Sequence, residues 1–167
     1  AGLSALAKQY IMSDSKFASF SEGEKINLVS AMLMATAEPM ARGENSYYSP
    51  RQQGAGLANI QAVASAKAYL TVEGADPAKP KAELGDGTGP FSFTFTVHNL
   101  TGDALTYTLD AAALSEEIVD GYFQQKSKNY AGNGIAISYD GATEDGTVSV
   151  PGHGAATVTV TITPEES

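Results

Sequence analysis

Phe91-Ser92-Phe93-Thr94-Phe95-Thr96-Val97-His98 alternates apolar and polar residues without a break. A period of two puts every apolar side chain on one face, so the stretch reads as a half-buried β-strand. Working outward, Leu105, Tyr107 and Leu109 alternate in the same way, and Asn99-Leu100-Thr101-Gly102-Asp103 between them reads as a hairpin connection. Ile135, Ile137 and Tyr139 mark another strand, as do Val148 and Val150. After the turn Pro151-Gly152-His153-Gly154, the residues Ala156, Val158, Val160 and Ile162 alternate with threonines. About seven short strands over roughly 100 residues predict an antiparallel β-sandwich. Residues 111–134 are its least regular part: Ala111–Val119 fits a short helix or an irregular strand, and Gln124–Asn133 reads as loop.

The residues before this region follow a different period. Leu3, Leu6, Tyr10 and Ile11 fall at helical spacing over residues 1–12. Ser21-Glu22-Gly23-Glu24 is a capping box, in which the serine hydroxyl and the glutamate carboxylate satisfy each other's backbone N–H groups. The helix it opens carries Ile26, Val29 and Leu33 along one side, a line that Met40 would extend, with Met32, Met34 and Ala37 beside them; Pro39 breaks the helix or lies just after it. The methionines read as core packing. A long connection, 41–58, contains Ser49-Pro50-Arg51-Gln52-Gln53-Gly54-Ala55-Gly56-Leu57. Asn59 caps a further helix with Ile60 and Val63 on one face, and Lys67–Val72 turns strand-like. The predicted fold class is α+β: a short N-terminal helical segment followed by the sandwich.

Charge divides the chain at the same place. Residues 1–70 carry six Lys/Arg against five Asp/Glu, and residues 71–167 carry four against fourteen. This places a boundary near residue 70. The overall charge of −9 argues against nucleic acid as a partner. No run of about 18 apolar residues offers a membrane span. The absence of cysteine excludes disulfides and thiolate metal sites. No signal peptide is visible, and the chain opens in mid-pattern at Ala1-Gly2-Leu3, as a piece of something longer would.

The residues able to carry chemistry do not assemble into a site. His98 lies on the polar side of a strand and His153 in a turn, neither with a serine or aspartate in triad context. Two histidines without an HExxH pattern do not make a zinc site. Asp140-Gly141-Ala142-Thr143-Glu144-Asp145 departs from calcium-loop spacing and reads as an acidic hairpin loop. Glu116-Glu117 reads as solvated surface. Gly54-Ala55-Gly56 does not follow a strand and leaves GxGxxG incomplete, so it is not a dinucleotide loop. The expectation is no catalytic, cofactor-binding or metal-binding residue in this chain, and no cofactor.

Three segments nevertheless resemble one family, in the right order. Leu28–Ala37 resembles a helix near the end of a subtilisin-like catalytic domain. Ser49–Leu57, followed by Ala58–Ala62, resembles the closing segment of that domain in cell-envelope serine proteinases of Gram-positive bacteria, the lactocepins and streptococcal complement-cleaving peptidases. Val148–Gly154 and the Val/Thr strand after it resemble the end of the fibronectin-III-like domain that follows in those proteins. The opening Ala1–Leu6 resembles the helix continuing from the motif that carries the nucleophilic serine.

The resemblance implies a secreted, cell-surface serine endopeptidase of which this chain is a piece. Residues 1–70 would be the last helices of the catalytic domain, and 71–167 the fibronectin-III-like sandwich. The catalytic serine, histidine and aspartate would all lie earlier, so no residue here inherits a catalytic role, and nothing is carried onto His153. Its partners would be the rest of the parent's catalytic domain and the parent's polypeptide substrates. Alone, the chain would expose Leu3, Leu6, Tyr10 and Ile11, and would hide them against its own sandwich or in a homodimer. The alternative is a non-enzymatic extracellular binding or adhesion module using the acidic sandwich. An adhesion domain has no need of the Ser49–Leu57 segment and its helical prelude.

Overall fold

The computed structural model describes residues 1–43, 45–126 and 128–165. Glu44 and Ser127, inside stretches read above as connection and loop, lie outside the described residues. The fold is α+β. Helices α1 (Gly2–Ser13), α2 (Glu22–Ala35), α3 (Pro50–Gln53) and α4 (Ile60–Ser65) precede strands β1 (Ala68–Val72), β2 (Phe91–Asn99), β3 (Leu105–Thr108), β4 (Glu116–Val119), β5 (Tyr122–Gln125), β6 (Ile135–Asp140), β7 (Thr147–Val150) and β8 (Ala155–Pro164).

The helix starts follow the local chemistry. The Ser21 hydroxyl accepts from Glu24 N–H, and the Glu24 carboxylate accepts from Ser21 N–H at 2.8 Å, so both halves of the capping box form. Asn59 Oδ1 accepts from the N–H of Gln61 at 2.9 Å and opens α4. Proline at the first position of α3 fits a turn whose first N–H has no intrahelical partner.

The faces that α1 and α2 bury differ from expectation. In α2 the buried residues are Leu28, Ala31 and Met32, while Ile26 is exposed. This helix is apolar around most of its circumference, so spacing alone does not select the inward side. In α1, Ala7 and Ile11 turn inward and Leu3 and Leu6 stay exposed. One core gathers Ala7, Ile11, Phe17, Leu28, Met32, Val63 and Leu100, with Tyr69 of β1 packed against it. The helices therefore rest on the β1 side of the sheet.

β1-β2-β8-β6 form a four-stranded antiparallel sheet. The second core lies between it and the β3–β7 pair, and centres on Val97, Val148, Val150, Val158 and Val160. On the opposite side of β2 and β8, threonine hydroxyls pair across the strands, Thr94 with Thr159 at 2.9 Å and Thr96 with Thr157 at 3.0 Å. The alternation of Phe91–His98 is thus realised as a face of phenylalanines and valine over the core and a face of paired hydroxyls.

One expected pairing is overturned. β2 and β3 are not a hairpin: β2 pairs with β1 and β8, and β3 pairs with β7. Asn99–Asp103 carries the chain from one sheet to the other. Asn99, only 6% exposed, makes the crossing. Its Nδ2 donates to the carbonyls of Asp103 at 2.7 Å and Pro151 at 3.0 Å. Its Oδ1 accepts from the N–H and hydroxyl of Thr101, both at 2.8 Å. These bonds hold the segment in a corner that a hairpin could not accommodate. Asn99→Ala removes the partner of part-buried polar groups on both loops and is expected to cost about 1–2 kcal/mol, read from the midpoint of urea unfolding.

In residues 111–134 the strand alternative holds at Glu116–Val119, and only Gln124 and Gln125 of the stretch read as loop join a strand. Glu116–Val119 and Tyr122–Gln125 pair as a two-stranded hairpin around Asp120-Gly121, both at positive φ. Two successive positive φ values are the type I′ signature, and Asp-Gly supplies them at little cost.

Candidate functional site

The two histidines lie at separate places in the fold, one on a strand and one in a turn. His98 stacks on Tyr69, with ring centroids 4.6 Å apart and planes within 10°. Its Nε2 lies 2.8 Å from the Thr71 hydroxyl. Tyr69 in turn meets Phe20 edge-on at 5.9 Å, and Phe20 meets Phe17. These rings form a ladder from the helical core to the sheet. Burial pushes the His98 pKa below its ordinary value, and burial, then the Glu24 carboxylate, pushes the Tyr69 phenol up.

A depressed histidine pKa means that the fold favours the neutral ring. Its contribution to stability is fully present above the unfolded value of ~6.5 and is lost as pH falls through it toward the lower folded value. Denaturant midpoints are expected to fall as pH drops below the unfolded value of ~6.5, with a shallower fall in His98→Gln.

His153 occupies the turn before β8 at φ 51°, and its N–H donates to the Thr101 carbonyl at 2.7 Å. In the loop after β6, the Thr143 hydroxyl donates to the Asp145 carboxylate, which this bond holds below the usual range. Among the described residues no group of three His, Asp or Glu side chains is placed to hold a metal ion. Glu116 and Glu117 point to opposite faces of β4. Glu116 meets Arg51 at 3.4 Å and Glu117 meets Lys126 at 3.5 Å, so they do not act as a pair. Met32 is buried in the helical core, as read, while Met40 is exposed. Gly56 lies against the backbone of Glu38, in a tight turn.

The structure instead builds a polar joint where the connector 39–57 meets the β4–β5 hairpin. Gln125, 8% exposed, is its centre. Its Oε1 accepts from Ser49 N–H at 2.8 Å and from Arg42 Nη1 at 3.0 Å. Its Nε2 donates to the Tyr47 carbonyl at 2.6 Å. Arg42 also lies over the Tyr48 ring, 5.6 Å from its centroid. Gln53 braces the connector internally, its side chain accepting from Met40 N–H at 2.7 Å and donating to the Tyr48 carbonyl. A cleft beside the joint is lined by Ser49, Pro50, Arg51, Leu114, Glu116 and Gln125. Chemically, the arrangement is an amide and a guanidinium fixing two distant segments to each other.

Sequence reasoning singles out the connector but misses Gln125 and Arg42. Their partners lie 76 and 83 residues apart in the chain, beyond any local pattern. The Asp120-Gly121 dipeptide between Ile118-Val119 and Tyr122-Phe123 is the available signal for the hairpin that carries Gln125.

Fold and joint together define an α+β protein whose antiparallel sandwich is fixed to a helical unit through a strand and a polar joint. In sequence the chain is similar to C5a peptidase of Streptococcus pyogenes, 33% identical over 95 residues. The same similarity holds for C5a peptidase of the M1 and M18 serotypes. Those 95 residues are 56% of this chain and 8% of the relative, so the chain spans less than a tenth of the curated relatives it matches. No family model matches the chain. The likeness supports the resemblance to cell-envelope subtilisin-like peptidases. No helix among the described residues is long and apolar enough to cross a membrane.

Proposed function

We propose that this chain belongs to a cell-surface, subtilisin-like serine endopeptidase of a Gram-positive bacterium. In this reading residues 1–70 close the catalytic domain and 71–167 form a fibronectin-III-like sandwich held rigidly beside it. The parent cleaves polypeptides by acyl transfer: a serine oxygen attacks the carbonyl, a histidine takes its proton, and an aspartate orients the histidine. None of those three groups is carried onto this chain. Its part is structural, and the sandwich helps to orient large substrates.

The observation that carries the reading is the 33% identity with C5a peptidase over 95 residues. The Ser49–Leu57 connector adds to it, since Gln125 and Arg42 make that segment the joint between the two units. The exposed Leu3, Leu6 and Ile26 are accounted for as surface that abuts the rest of the catalytic domain. In the chain by itself that surface is open to a second copy, and light scattering is expected to show weak dimerisation that Leu6→Ser relieves.

The gene sequence immediately upstream tests the proposal. It is expected to encode a GTSMA-like serine motif, with the histidine and aspartate earlier. A serine-directed fluorophosphonate is expected to label the longer polypeptide but not this chain, and this chain is expected to leave casein intact. An unrelated upstream sequence, or labelling of this chain alone, overturns it.

A further inference from the structure

The β4–β5 hairpin has two unlike faces. Side chains alternate along each strand, and the register Glu116↔Gln125, Ile118↔Phe123 puts these four residues on one side. At the base this side is already an interface, through Gln125 and the contact of Glu116 with Arg51. At the tip it is uncovered: Ile118 is 67% exposed and Phe123 75%. The other side carries Gln124 and the Glu117–Lys126 ion pair, as a solvated face does. Tyr122, 75% exposed on that side, has a hydroxyl to leave in water. Two large apolar side chains standing together in the open mark an interaction surface.

We infer that Ile118 and Phe123 are a docking tip, and that their occupant is the surface of the peptidase domain whose edge is the Arg42–Arg51 connector. This rests on the function proposed above. Two observations select that occupant. The apolar pair lies on the side of the hairpin that meets the connector, so the contact made at the base continues in its direction. Charge agrees as well: residues 116–126 hold three carboxylates and one lysine, and the connector 42–51 holds Arg42 and Arg51 against the single acid Glu44. The occupant is therefore an apolar depression with a basic rim. A strand added to the hairpin's free edge would use backbone bonds, and would leave unexplained why the aliphatic and phenyl groups share the connector's side.

Hydrogen exchange on this chain and on the longer polypeptide encoded by its gene, each with and without Ile118→Ser/Phe123→Ser, tests the inference. In this chain the amides of 118–123 are expected to exchange fast, and the double substitution is expected to leave the melting midpoint unchanged. In the longer polypeptide the same amides slow about tenfold or more. The double substitution restores fast exchange there while the connector keeps its protection. Equal exchange at 118–123 in the two forms overturns the inference. So does protection that appears in this chain as its concentration rises, which makes the occupant a second copy. Failure of the proposed function reads separately, as a longer polypeptide that the serine-directed probe does not label.

Discussion

Gly56→Ala is expected to destabilise the protein by about 4 kcal/mol, the sum of a strained backbone and an overpacked contact. Gly56 sits at φ 119°, a region that L side chains rarely adopt, and a Cβ there would lie 2.3 Å from the Glu38 carbonyl oxygen. That oxygen accepts from Leu57 N–H at 2.8 Å, and Glu38 N–H donates back to Leu57 at 3.0 Å. The methyl group cannot be relieved by a rotamer change, because it meets backbone. The bridge must open, and with it the return of the connector past the end of α2. At ~2–4 °C per kcal/mol for a chain of this size, the melting midpoint should fall by about 12 °C. Gly23→Ala is the internal contrast. Gly23 lies in the first turn of α2, and no atom stands within 4 Å of the place a methyl group would take, so alanine there should add about 0.5 kcal/mol. Equal effects at the two positions would show that Gly56 is not constrained as described.

The second large effect is expected at Gln125. Gln125→Leu keeps the bulk and removes all three hydrogen bonds, leaving the N–H of Ser49 and the carbonyl of Tyr47 without the partner they have now. Each stranded buried group costs about 1–3 kcal/mol, so a loss of about 3 kcal/mol is expected. Gln125→Glu retains the two accepting contacts to Ser49 and Arg42 but sets a carboxylate oxygen against the Tyr47 carbonyl, so it too should lose stability, offset in part by the charge-assisted contact with Arg42. Hydrogen exchange would place the damage: amides of the connector and of the hairpin should loosen together in Gln125→Leu. By contrast, the exposed Arg51–Glu116 pair should contribute less than about 1 kcal/mol. A hairpin that stays protected in Gln125→Leu would contradict the role given to this side chain.

These two sites show where sequence reading reaches and where it stops. Alternation reveals the strands around Phe93, Ile137, Val148 and Val158, because a buried face leaves a period of two. The Ser21–Glu24 box and the Asn59 cap are legible because both partners lie within a few residues. Strand neighbours are not legible, since alternation sets the face of a strand and says nothing about what lies beside it; closeness in the chain points β3 to β2, and the fold pairs it with β7. The inward side of α2 is hidden by residues apolar all round. The β4–β5 hairpin escapes notice because Ile118, Tyr122 and Phe123 stand in solvent and leave no core pattern. Of the joint, the Ser49–Leu57 half stands out by resemblance. The Gln125 half does not, because a buried amide is recognisable only once its distant partners are known.

The order β1-β2-β8 settles how the sandwich would carry a pull. β1 begins at Ala68, level with Asn99 at one end of β2, and β8 runs out past Ile162, level with Phe91 at the other end. The chain thus enters and leaves the sheet at opposite ends of the same central strand. Tension along the polypeptide runs parallel to the strands and across their hydrogen bonds, which lie perpendicular to the strand axis. The ladders on both sides of β2 then resist in shear, all bonds at once, where an entry and exit at one end would let them open like a zip.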